Sequence, residues 1–233
     1  MVQIEGIYCE TPLVKTFTLR LLSGNGVFLP GQYVRLLTPV KDGSVDARDY
    51  SITSSPSHTE SFQIAVKKIQ GSRATNYLHA QAVVGDSLIF SGPLGQFTYQ
   101  DGAVDSLVLV AGGIGITPML SITRFIHERA TKLNVDLLYS AQMPSEMAFL
   151  QELRDLSDRD PRIRCTFTVT QPGLEIWDGP RGRIDRAMLS ATILENYPTF
   201  YLCGPDEMLN YLINIINDLG IEESKIKVDR WFG

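Results

Sequence analysis

The sequence predicts two domains, an antiparallel β-barrel over residues 1–100 followed by a doubly wound α/β domain over residues 104–233. The chain length of 233 residues suits two domains of about 100 to 130 residues, each with its own core. Short β-rich segments separated by turn residues fill the first part of the sequence. Apolar runs that alternate with helical patterns fill the second part, and this change of order separates the two fold classes.

The first part of the chain has the regular strand and turn spacing that is typical of an antiparallel barrel. We predict strands over Val14–Leu22, Tyr33–Thr38, Tyr50–Ser54, Phe62–Lys67 and Ser87–Ser91, with turns at Gly24-Asn25-Gly26, Lys41-Asp42-Gly43 and Gly85-Asp86. The segment Thr75–Ala82 is expected to form a short helix. The polar stretch Tyr99–Asp105 is expected to link the two domains.

The second part of the chain begins with an unbroken apolar run, Leu107–Ala111, which is the pattern of a strand buried on both faces of a sheet. A helix should start near Thr117, with Pro118 at its first position, where a backbone N–H is not needed. We predict further strands over Val135–Tyr139, Cys165–Thr170 and Thr199–Cys203, and helices over Ser145–Leu156 and Asp206–Leu219. This order predicts a parallel, doubly wound sheet.

The composition excludes several classes of partner and site. The net charge is −5, so no basic field is present to attract nucleic acid or anionic lipid. The three cysteines, Cys9, Cys165 and Cys203, are far apart and odd in number, which argues against disulfides, iron–sulfur clusters and Cys-ligated metals. No signal peptide and no membrane-spanning run is visible. We therefore expect a cytoplasmic protein without a metal.

Two turns in the second domain predict a nucleotide site. The segment Ala111-Gly112-Gly113-Ile114-Gly115-Ile116-Thr117-Pro118 joins a buried strand to a helix, where glycines let backbone N–H groups approach a phosphate. Cys203-Gly204-Pro205 follows another buried strand and should lie at the same edge of the parallel sheet. Each turn alone is compatible with an ordinary connection, and Cys203 alone with a small core residue. The pair together favours nucleotide binding.

Two segments of the first domain carry groups suited to an aromatic cofactor with a phosphate tail. Arg48-Asp49-Tyr50-Ser51 begins a predicted strand and supplies a cation, an aromatic ring and a hydroxyl. Gly71–Leu78 supplies a glycine, hydroxyls and the start of a helix. Alone, the first segment also fits a half-exposed strand, and the second fits a capped helix behind a loop.

Six motifs occur in the order that they have in one family. The chain closely resembles the ferredoxin-NADP reductase superfamily, which includes oxygenase reductases and flavin reductases, over nearly its whole length. The motifs are Arg48-x-Tyr50-Ser51, Gly71-x-x-x-Thr75-x-x-Leu78, Gly92-Pro93-x-Gly95-x-Phe97, Gly112-Gly113-x-Gly115-Ile116-Thr117-Pro118, Cys203-Gly204-Pro205 and Asp229-Arg230-Trp231. The resemblance implies a Greek-key barrel that binds FAD, followed by a domain that binds a nicotinamide nucleotide.

The resemblance also implies roles for the residues of the first domain. Arg48 would pair with the FAD pyrophosphate, Tyr50 would stack on the isoalloxazine ring, and the Ser51 hydroxyl would bond flavin N5. The remaining FAD-binding residues would be Val66, Lys67, Gly71, Ser72, Ala74 and Thr75.

In the second domain the resemblance places the nicotinamide ring against Cys203 and the aromatic ring of Trp231 over the flavin, and Asp229 belongs to the same acid-x-aromatic ending. It implies that Ser51, Cys203, Asp229 and Trp231 are the catalytic residues. Phe232 replaces Trp231 if the register is shifted by one. Gln142 and Gln171 would face the adenosine end of the nucleotide. The remaining nucleotide-binding residues would be Gly112, Gly113, Gly115, Ile116, Thr117, Pro118, Gly204 and Pro205.

The resemblance implies a reductase that takes hydride from NAD(P)H onto FAD and passes electrons to a separate protein, such as a ferredoxin or an oxygenase component. One alternative is a flavin reductase that releases free reduced flavin. Another is an electron-transfer subunit that works only inside a larger complex. A full phosphate site at Arg48 and Gly71–Leu78 favours retained FAD and therefore the first hypothesis.

The residues after two strands of the second domain predict that NADH is preferred over NADPH. Many NADPH-using members have an arginine at each place, because arginine binds a phosphate bidentately. Here the segments end in Gln142 and Gln171, and a neutral amide cannot neutralise a phosphate. Arg181 and Arg183 remain alternative sources of charge.

Overall fold

The computed structural model describes residues 1–39, 43–57, 59–102, 104, 106–129, 132–193 and 197–230. Contacts within the chain divide it into two compact units. The first comprises Met1–Tyr99 and Leu120–Phe125, and the second comprises Gln100–Met119 and the chain from Ile126 onward. Of the helices in the described ranges, none has the length and apolar content that crossing a bilayer requires.

The first unit contains a six-stranded antiparallel sheet. Its strands are β1 (Val2–Thr11), β2 (Val14–Leu21), β3 (Tyr33–Pro39), β4 (Val45–Ser51), β5 (Ser61–Lys67) and β6 (Ser87–Leu94), in the order β4-β3-β6-β1-β2-β5. The two outermost strands meet, because Ile52 bridges Ile64 and the Thr53 N–H donates to the Gln63 carbonyl at 2.8 Å. The sheet therefore closes on itself, which confirms the predicted antiparallel barrel.

Alternation along the strands fills the interior of this barrel with apolar side chains. On β2, for example, Phe17 and Leu19 are fully buried while Thr18 between them is partly exposed. One short helix, α1 (Arg73–Ala80), places Leu78 in the same core. The other buried residues of this core are Val2, Ile4, Phe28, Val34, Leu36, Tyr50, Ile52, Phe62, Ile64, Val66 and Leu88.

Three predicted elements of the first unit are wrong in extent. The strand expected over Tyr50–Ser54 is β4, Val45–Ser51, so the Arg48–Ser51 motif ends this strand instead of beginning it. Charged side chains hide the start of β4 in the sequence, since Asp49 pairs with Arg35 on the exposed face. Strand β6 extends to Leu94, three residues beyond the predicted end, and α1 begins two residues before the predicted start. Strand β1 was not predicted at all. The turn predicted at Lys41-Asp42-Gly43 lies mostly outside the described residues.

The second unit contains a five-stranded parallel sheet. Its strands are β7 (Ser106–Gly112), β8 (Asn134–Ala141), β9 (Ile163–Val169), β10 (Thr199–Gly204) and β11 (Ile226–Arg230), in the order β11-β10-β7-β8-β9. Its helices are α2 (Ile116–Arg129), whose middle part counts with the first unit, α3 (Leu150–Arg159), α4 (Arg186–Thr192) and α5 (Asp206–Asp218). The predicted doubly wound parallel sheet is confirmed.

The order of this sheet reverses at β7. The chain adds β8 and β9 on one side of β7 and then places β10 and β11 on its other side. Loops after β7 and β10 therefore diverge at the point where open α/β sheets bind their ligands. Both strands are buried, as their unbroken apolar sequences predict, and the face of α5 that carries Leu209, Leu212 and Ile216 packs into the core beside them.

The helix boundaries in the second unit differ from the predicted ones for local reasons. Helix α2 begins at Ile116 after a 3₁₀ turn at Gly113–Gly115, so Pro118 is its third residue and still lies within the first turn. Helix α3 begins at Leu150 instead of Ser145, because Phe149 has a left-handed φ of 62° and Pro144–Glu146 forms a separate 3₁₀ turn. Tyr99, predicted in the linker, is buried, and its N–H donates to Pro30.

Candidate active site

Buried hydroxyls without partners mark the end of β4 in the first unit. Tyr50 and Ser51 are 8% and 2% exposed, and neither side-chain oxygen has a hydrogen-bond partner among the described residues. Burial raises the pKa of Tyr50 well above its usual value, so its hydroxyl stays protonated. An unsatisfied buried hydroxyl costs about 1–3 kcal/mol. Such groups fit a bound aromatic cofactor whose heteroatoms accept their hydrogen bonds.

Arg48 connects the same strand to the start of helix α1. Its Nη1 lies 2.9 Å from Asp46 Oδ1, and Asp46 Oδ2 accepts the backbone N–H of Ala74 at 3.2 Å. Asp46 is buried, whereas the Arg48 side chain is 54% exposed. The guanidinium is therefore held beside the positive end of a helix while its outer face stays accessible. This arrangement fits a phosphate group.

The loop before α1 is shaped by its own side chains. Gly71 has φ +81°, a conformation that favours glycine, and Ser72 caps the helix by accepting the Thr75 N–H. The Thr75 hydroxyl, predicted to bind phosphate, is buried and bonds both the N–H and the carbonyl of Ile69. In this structure Thr75 therefore shapes the loop.

Two further predicted FAD residues, Val66 and Lys67, end strand β5. Val66 is fully buried, and its carbonyl lies 2.9 Å from His79 Nε2.

The histidines do not form a metal site among the described residues. In the second unit His127 Nδ1 lies 2.9 Å from Asp160 Oδ2. His58 lies outside the described residues, and no grouping of metal-ligating side chains is found among those that are described. The expectation of no metal stays a prediction.

The glycine turn after β7 and the Cys203-Gly204-Pro205 turn after β10 are in contact in the second unit. A Cβ on Gly115 would lie 2.3 Å from the Cys203 carbonyl oxygen and 3.0 Å from the Gly204 nitrogen. A Cβ on Gly204 would lie 3.2 Å from the Gly112 backbone. The two backbones can come this close because Gly115 and Gly204 have no side chains. The sequence predicted that these two turns lie at the same edge of the sheet.

The rest of the glycine turn leaves room for a ligand. A Cβ on Gly112 would lie 2.5 Å from Met208 Sδ, whereas Gly113 has φ +54° and nothing within 4 Å of the same position. The Thr117 hydroxyl donates to the Ile114 carbonyl at 2.9 Å and so fixes the first turn of α2, in which Ile116 is fully buried. Open space beside a helix start fits a pyrophosphate.

Gln142 and Gln171 lie side by side at the same edge of the sheet. They follow β8 and β9, and the Gln171 N–H donates to the Gln142 carbonyl at 2.8 Å. Arg181 Nη2 lies 3.3 Å from the Trp177 carbonyl, and Arg183 pairs with Glu207. Both arginines therefore already have partners.

Cys203 is fully buried at the end of β10 and is paired in register with Asp229 on β11. Burial raises the pKa of Asp229 to about 6. Pro205 precedes helix α5. Trp231 and Phe232 lie outside the described residues, so the choice between them stays a prediction.

Comparison with known proteins agrees with both halves of this arrangement. The Oxidoreductase FAD-binding domain family matches residues 10–99, and the Oxidoreductase NAD-binding domain family matches residues 109–213. The chain belongs to the ferredoxin-NADP reductase superfamily. The two matches confirm the predicted FAD-binding domain and the predicted domain that binds a nicotinamide nucleotide.

Individual relatives within this superfamily differ in length. The glycine betaine monooxygenase reductase subunit of Chromohalobacter salexigens is 32% identical over 84% of this chain, which spans about half (54%) of that protein. Ferredoxin–NADP reductase B of Sorangium cellulosum is 28% identical, with 95% of this chain and 93% of that protein covered. The FAD/NAD-binding domain of nitric oxide dioxygenase from Vibrio cholerae has the same fold, with a TM-score of 0.88, 24% identity, and 99% and 97% of the two chains covered.

Two residues of the candidate site were missed in the sequence. Asp46 and Thr53 lie two residues before Arg48 and two after Ser51, and side chains two apart in an extended segment share a face. Thr53 is fully buried, and its hydroxyl has no partner in the described part of the chain. Extending the strand period beyond the four-residue motif identifies both.

Proposed function

We propose that this chain takes hydride from a nicotinamide nucleotide onto FAD and passes electrons to a separate carrier protein, such as a ferredoxin or an oxygenase component. The observation that carries the proposal is the pair of buried, unpartnered hydroxyls on Tyr50 and Ser51, in a domain that matches an FAD-binding family. When bound, FAD supplies the redox chemistry. The protein then has to bind and align the reacting groups.

The residues of the first unit divide this task. Ser51 donates a hydrogen bond at the reacting edge of the flavin, and Tyr50 packs its ring against the isoalloxazine. Arg48 pairs with the pyrophosphate next to the start of α1, which is supported by the exposed face of its guanidinium. Val66, Lys67, Gly71, Ser72, Ala74 and Thr75 line or shape the same site.

The second unit holds the nucleotide at the switch point of its sheet. Gly112, Gly113 and the first turn of α2 hold the pyrophosphate. The close approach of Gly115 and Cys203 supports a nicotinamide position next to the glycine turn. Gln142 and Gln171 bond the adenosine ribose, and NADH is the preferred substrate. The raised pKa of Asp229 keeps a partly protonated carboxyl beside Cys203.

A separate acceptor is supported by the names of the relatives. The Chromohalobacter protein is a reductase subunit of a monooxygenase, and the Sorangium protein is a ferredoxin–NADP reductase. We propose an acceptor of one of these two kinds. A cytoplasmic location is proposed from the three cysteines, all of which are free thiols.

The test is an absorption spectrum of the purified protein after desalting, followed by anaerobic reduction with NADH. We expect a retained flavin spectrum, FAD on release, bleaching by NADH, and re-oxidation by a ferredoxin. A protein that loses its flavin on desalting and reduces added riboflavin in solution contradicts the proposal and supports the flavin reductase alternative.

A further inference from the structure

A fixed carboxylate joins the loops that follow β8 and β9. Glu175 Oε2 accepts the Ser145 backbone N–H at 2.8 Å, and Glu175 Oε1 accepts the Ser145 hydroxyl at 2.6 Å. The loop on the Glu175 side turns back on itself through the Glu175 N–H, which donates to the Pro172 carbonyl at 3.0 Å. These two bonds from Ser145 lower the pKa of Glu175 below its usual value. The side chain is therefore an anion at neutral pH.

This anion lies on the loop that continues from Gln171, and it bonds Ser145 on the loop that continues from Gln142. The backbones after β8 and β9 stay paired past the strand ends, through bonds from Thr170 to Ala141 and from Gln171 to Gln142. Ser145 is three residues beyond Gln142, and a chain extends at most about 3.3–3.6 Å per residue. The Glu175 carboxylate, bonded to Ser145, is therefore held within about 15 Å of the glutamine pair by the chain alone.

Cations next to the same loop are directed elsewhere. The Arg154 guanidinium lies 5.6 Å from the Trp177 ring centroid and 5.9 Å from that of Phe167. The Arg183 guanidinium pairs with Glu207 on α5 at 2.9 Å. The anion of Glu175 is thus held by hydrogen-bond donors, and its charge is not cancelled by an ion pair with either arginine.

An ionised carboxylate discriminates between the two nicotinamide nucleotides by chemistry alone. It only accepts hydrogen bonds, so it bonds the 2′-hydroxyl of the NADH ribose. The 2′-phosphate of NADPH carries about −1.5 to −2 charges near neutral pH and has no donor to offer when ionised. The same carboxylate therefore repels it.

We propose that Glu175 is a specificity-determining residue that favours NADH by accepting the ribose 2′-hydroxyl and repelling a 2′-phosphate, with Ser145 positioning its carboxylate. This inference rests on the proposed function, in which Gln142 and Gln171 face the adenosine ribose. Without Glu175, the only feature of the site that disfavours NADPH is the absence of an arginine for the 2′-phosphate. Glu175 adds repulsion of that phosphate, and specific sites commonly combine favourable contacts to one ligand with repulsion of the other.

The test compares Glu175→Gln with a control that removes the same charge elsewhere. The glutamine amide oxygen still accepts the Ser145 N–H, and the amide NH2 can donate to the Ser145 hydroxyl oxygen, so the loop should stay folded. Asp158→Asn is the control, because Asp158 is exposed near the end of α3. Helix α3 leads into the first residue of β9, so Asp158 lies near the amino ends of the strands, whereas Gln142 and Gln171 follow their carboxyl ends. The readouts are kcat/KM for NADH and NADPH, and calorimetric Kd values for 5′-AMP and 2′,5′-ADP, which need no flavin.

We expect Glu175→Gln to raise the NADPH to NADH ratio of kcat/KM by about tenfold or more, the scale of one lost charge contact. The 2′,5′-ADP Kd should tighten by a similar factor and the 5′-AMP Kd should weaken. Ser145→Ala should change the ratio in the same direction by less, and Asp158→Asn should leave it unchanged. Unchanged ratios in Glu175→Gln, with NADH still used, overturn this inference alone. A wild-type protein that binds neither NADH nor 5′-AMP overturns the proposed function together with it.

Discussion

At the scale of single residues, the Ser51 hydroxyl is a buried donor whose partner is not supplied by the described part of the chain. We predict that Ser51→Ala slows flavin reduction by about ten- to a hundredfold, the scale of one or two lost hydrogen bonds in the transition state. FAD content should change little, because the proposed phosphate contacts of Arg48 and the α1 region do not involve Ser51. Stopped-flow reduction by NADH measures the rate.

The matched control for Ser51→Ala is Ser106→Ala. The Ser106 hydroxyl is also buried without a partner among the described residues, but it lies at the start of β7 in the second unit. Its removal should leave flavin reduction unchanged. Equal rates for Ser51→Ala and wild type would reject the assigned role of Ser51.

Asp229 gives a second prediction at the residue scale, concerning pH. Its folded-state pKa of about 6 is raised by burial above the usual 3.8. The stability linked to this group is therefore present below about pH 4 and lost as pH rises through 6. Asp229→Asn mimics the protonated form, so it should raise Tm by about 2–4 °C above pH 6 and make no difference near pH 4. Thermal melts across this range test it, and a Tm gain that is equal at both pH values contradicts it.

At the scale of elements, the contact between the turns after β7 and β10 depends on one missing side chain. Gly115→Ala places a Cβ 2.3 Å from the Cys203 carbonyl oxygen, so the glycine turn has to move away from β10. We predict at least a tenfold weaker Kd for NAD⁺, because the N–H groups of the turn are no longer aligned with the pyrophosphate. Titration of the oxidised protein with NAD⁺ or a non-reducing analogue measures this affinity.

The control for Gly115→Ala is Gly220→Ala. Gly220 follows α5 with φ +82°, and nothing lies within 4 Å of its Cβ position. Alanine there should lower the free energy of unfolding by about 1 kcal/mol through backbone strain alone and leave nucleotide affinity unchanged. If both variants bind nucleotide like the wild type, the packing of Gly115 against Cys203 does not support the site.

Element boundaries show how far sequence patterns reach. Strands β7 and β10 were predicted nearly to the residue, because burial on both faces leaves an unbroken apolar run. The start of α3 was wrong, since the left-handed Phe149 is imposed by the surrounding fold and has no signal in the sequence. The start of β4 was wrong because one of its faces is exposed and charged.

The candidate site, like the element boundaries, was predictable from the sequence only in part. The meeting of the glycine turn and Cys203 was predictable, because parallel strands share a carboxyl edge. The bond from Asp46 to the Ala74 N–H and the link between Ser145 and Glu175 join segments that are 28 and 30 residues apart. Such pairs have no periodic signature and require the folded structure.

At the scale of the whole molecule, the response to flavin distinguishes the proposed reductase from a free-flavin reductase. A ligand present at about 100 times its Kd stabilises the folded state by about 2.7 kcal/mol, which corresponds to about 5–10 °C in Tm for a protein of this size. Protein stripped of flavin should therefore melt that much lower, and FAD should restore the loss. Riboflavin lacks the phosphates and the adenosine, so it should restore less.

Arg48→Gln makes this prediction specific to the phosphate contact. Loss of the guanidinium, which lies beside Asp46 and the start of α1, removes a charge-assisted bond worth about 1.5–3 kcal/mol, so the stabilisation by FAD should fall towards that by riboflavin. Stabilisation by riboflavin itself should not change, because riboflavin has no group for Arg48 to bind. Scanning fluorimetry with each flavin gives all four shifts. If riboflavin stabilises the wild type as much as FAD does, the protein binds only the flavin ring. That result would contradict a retained FAD and support a flavin that exchanges with solution.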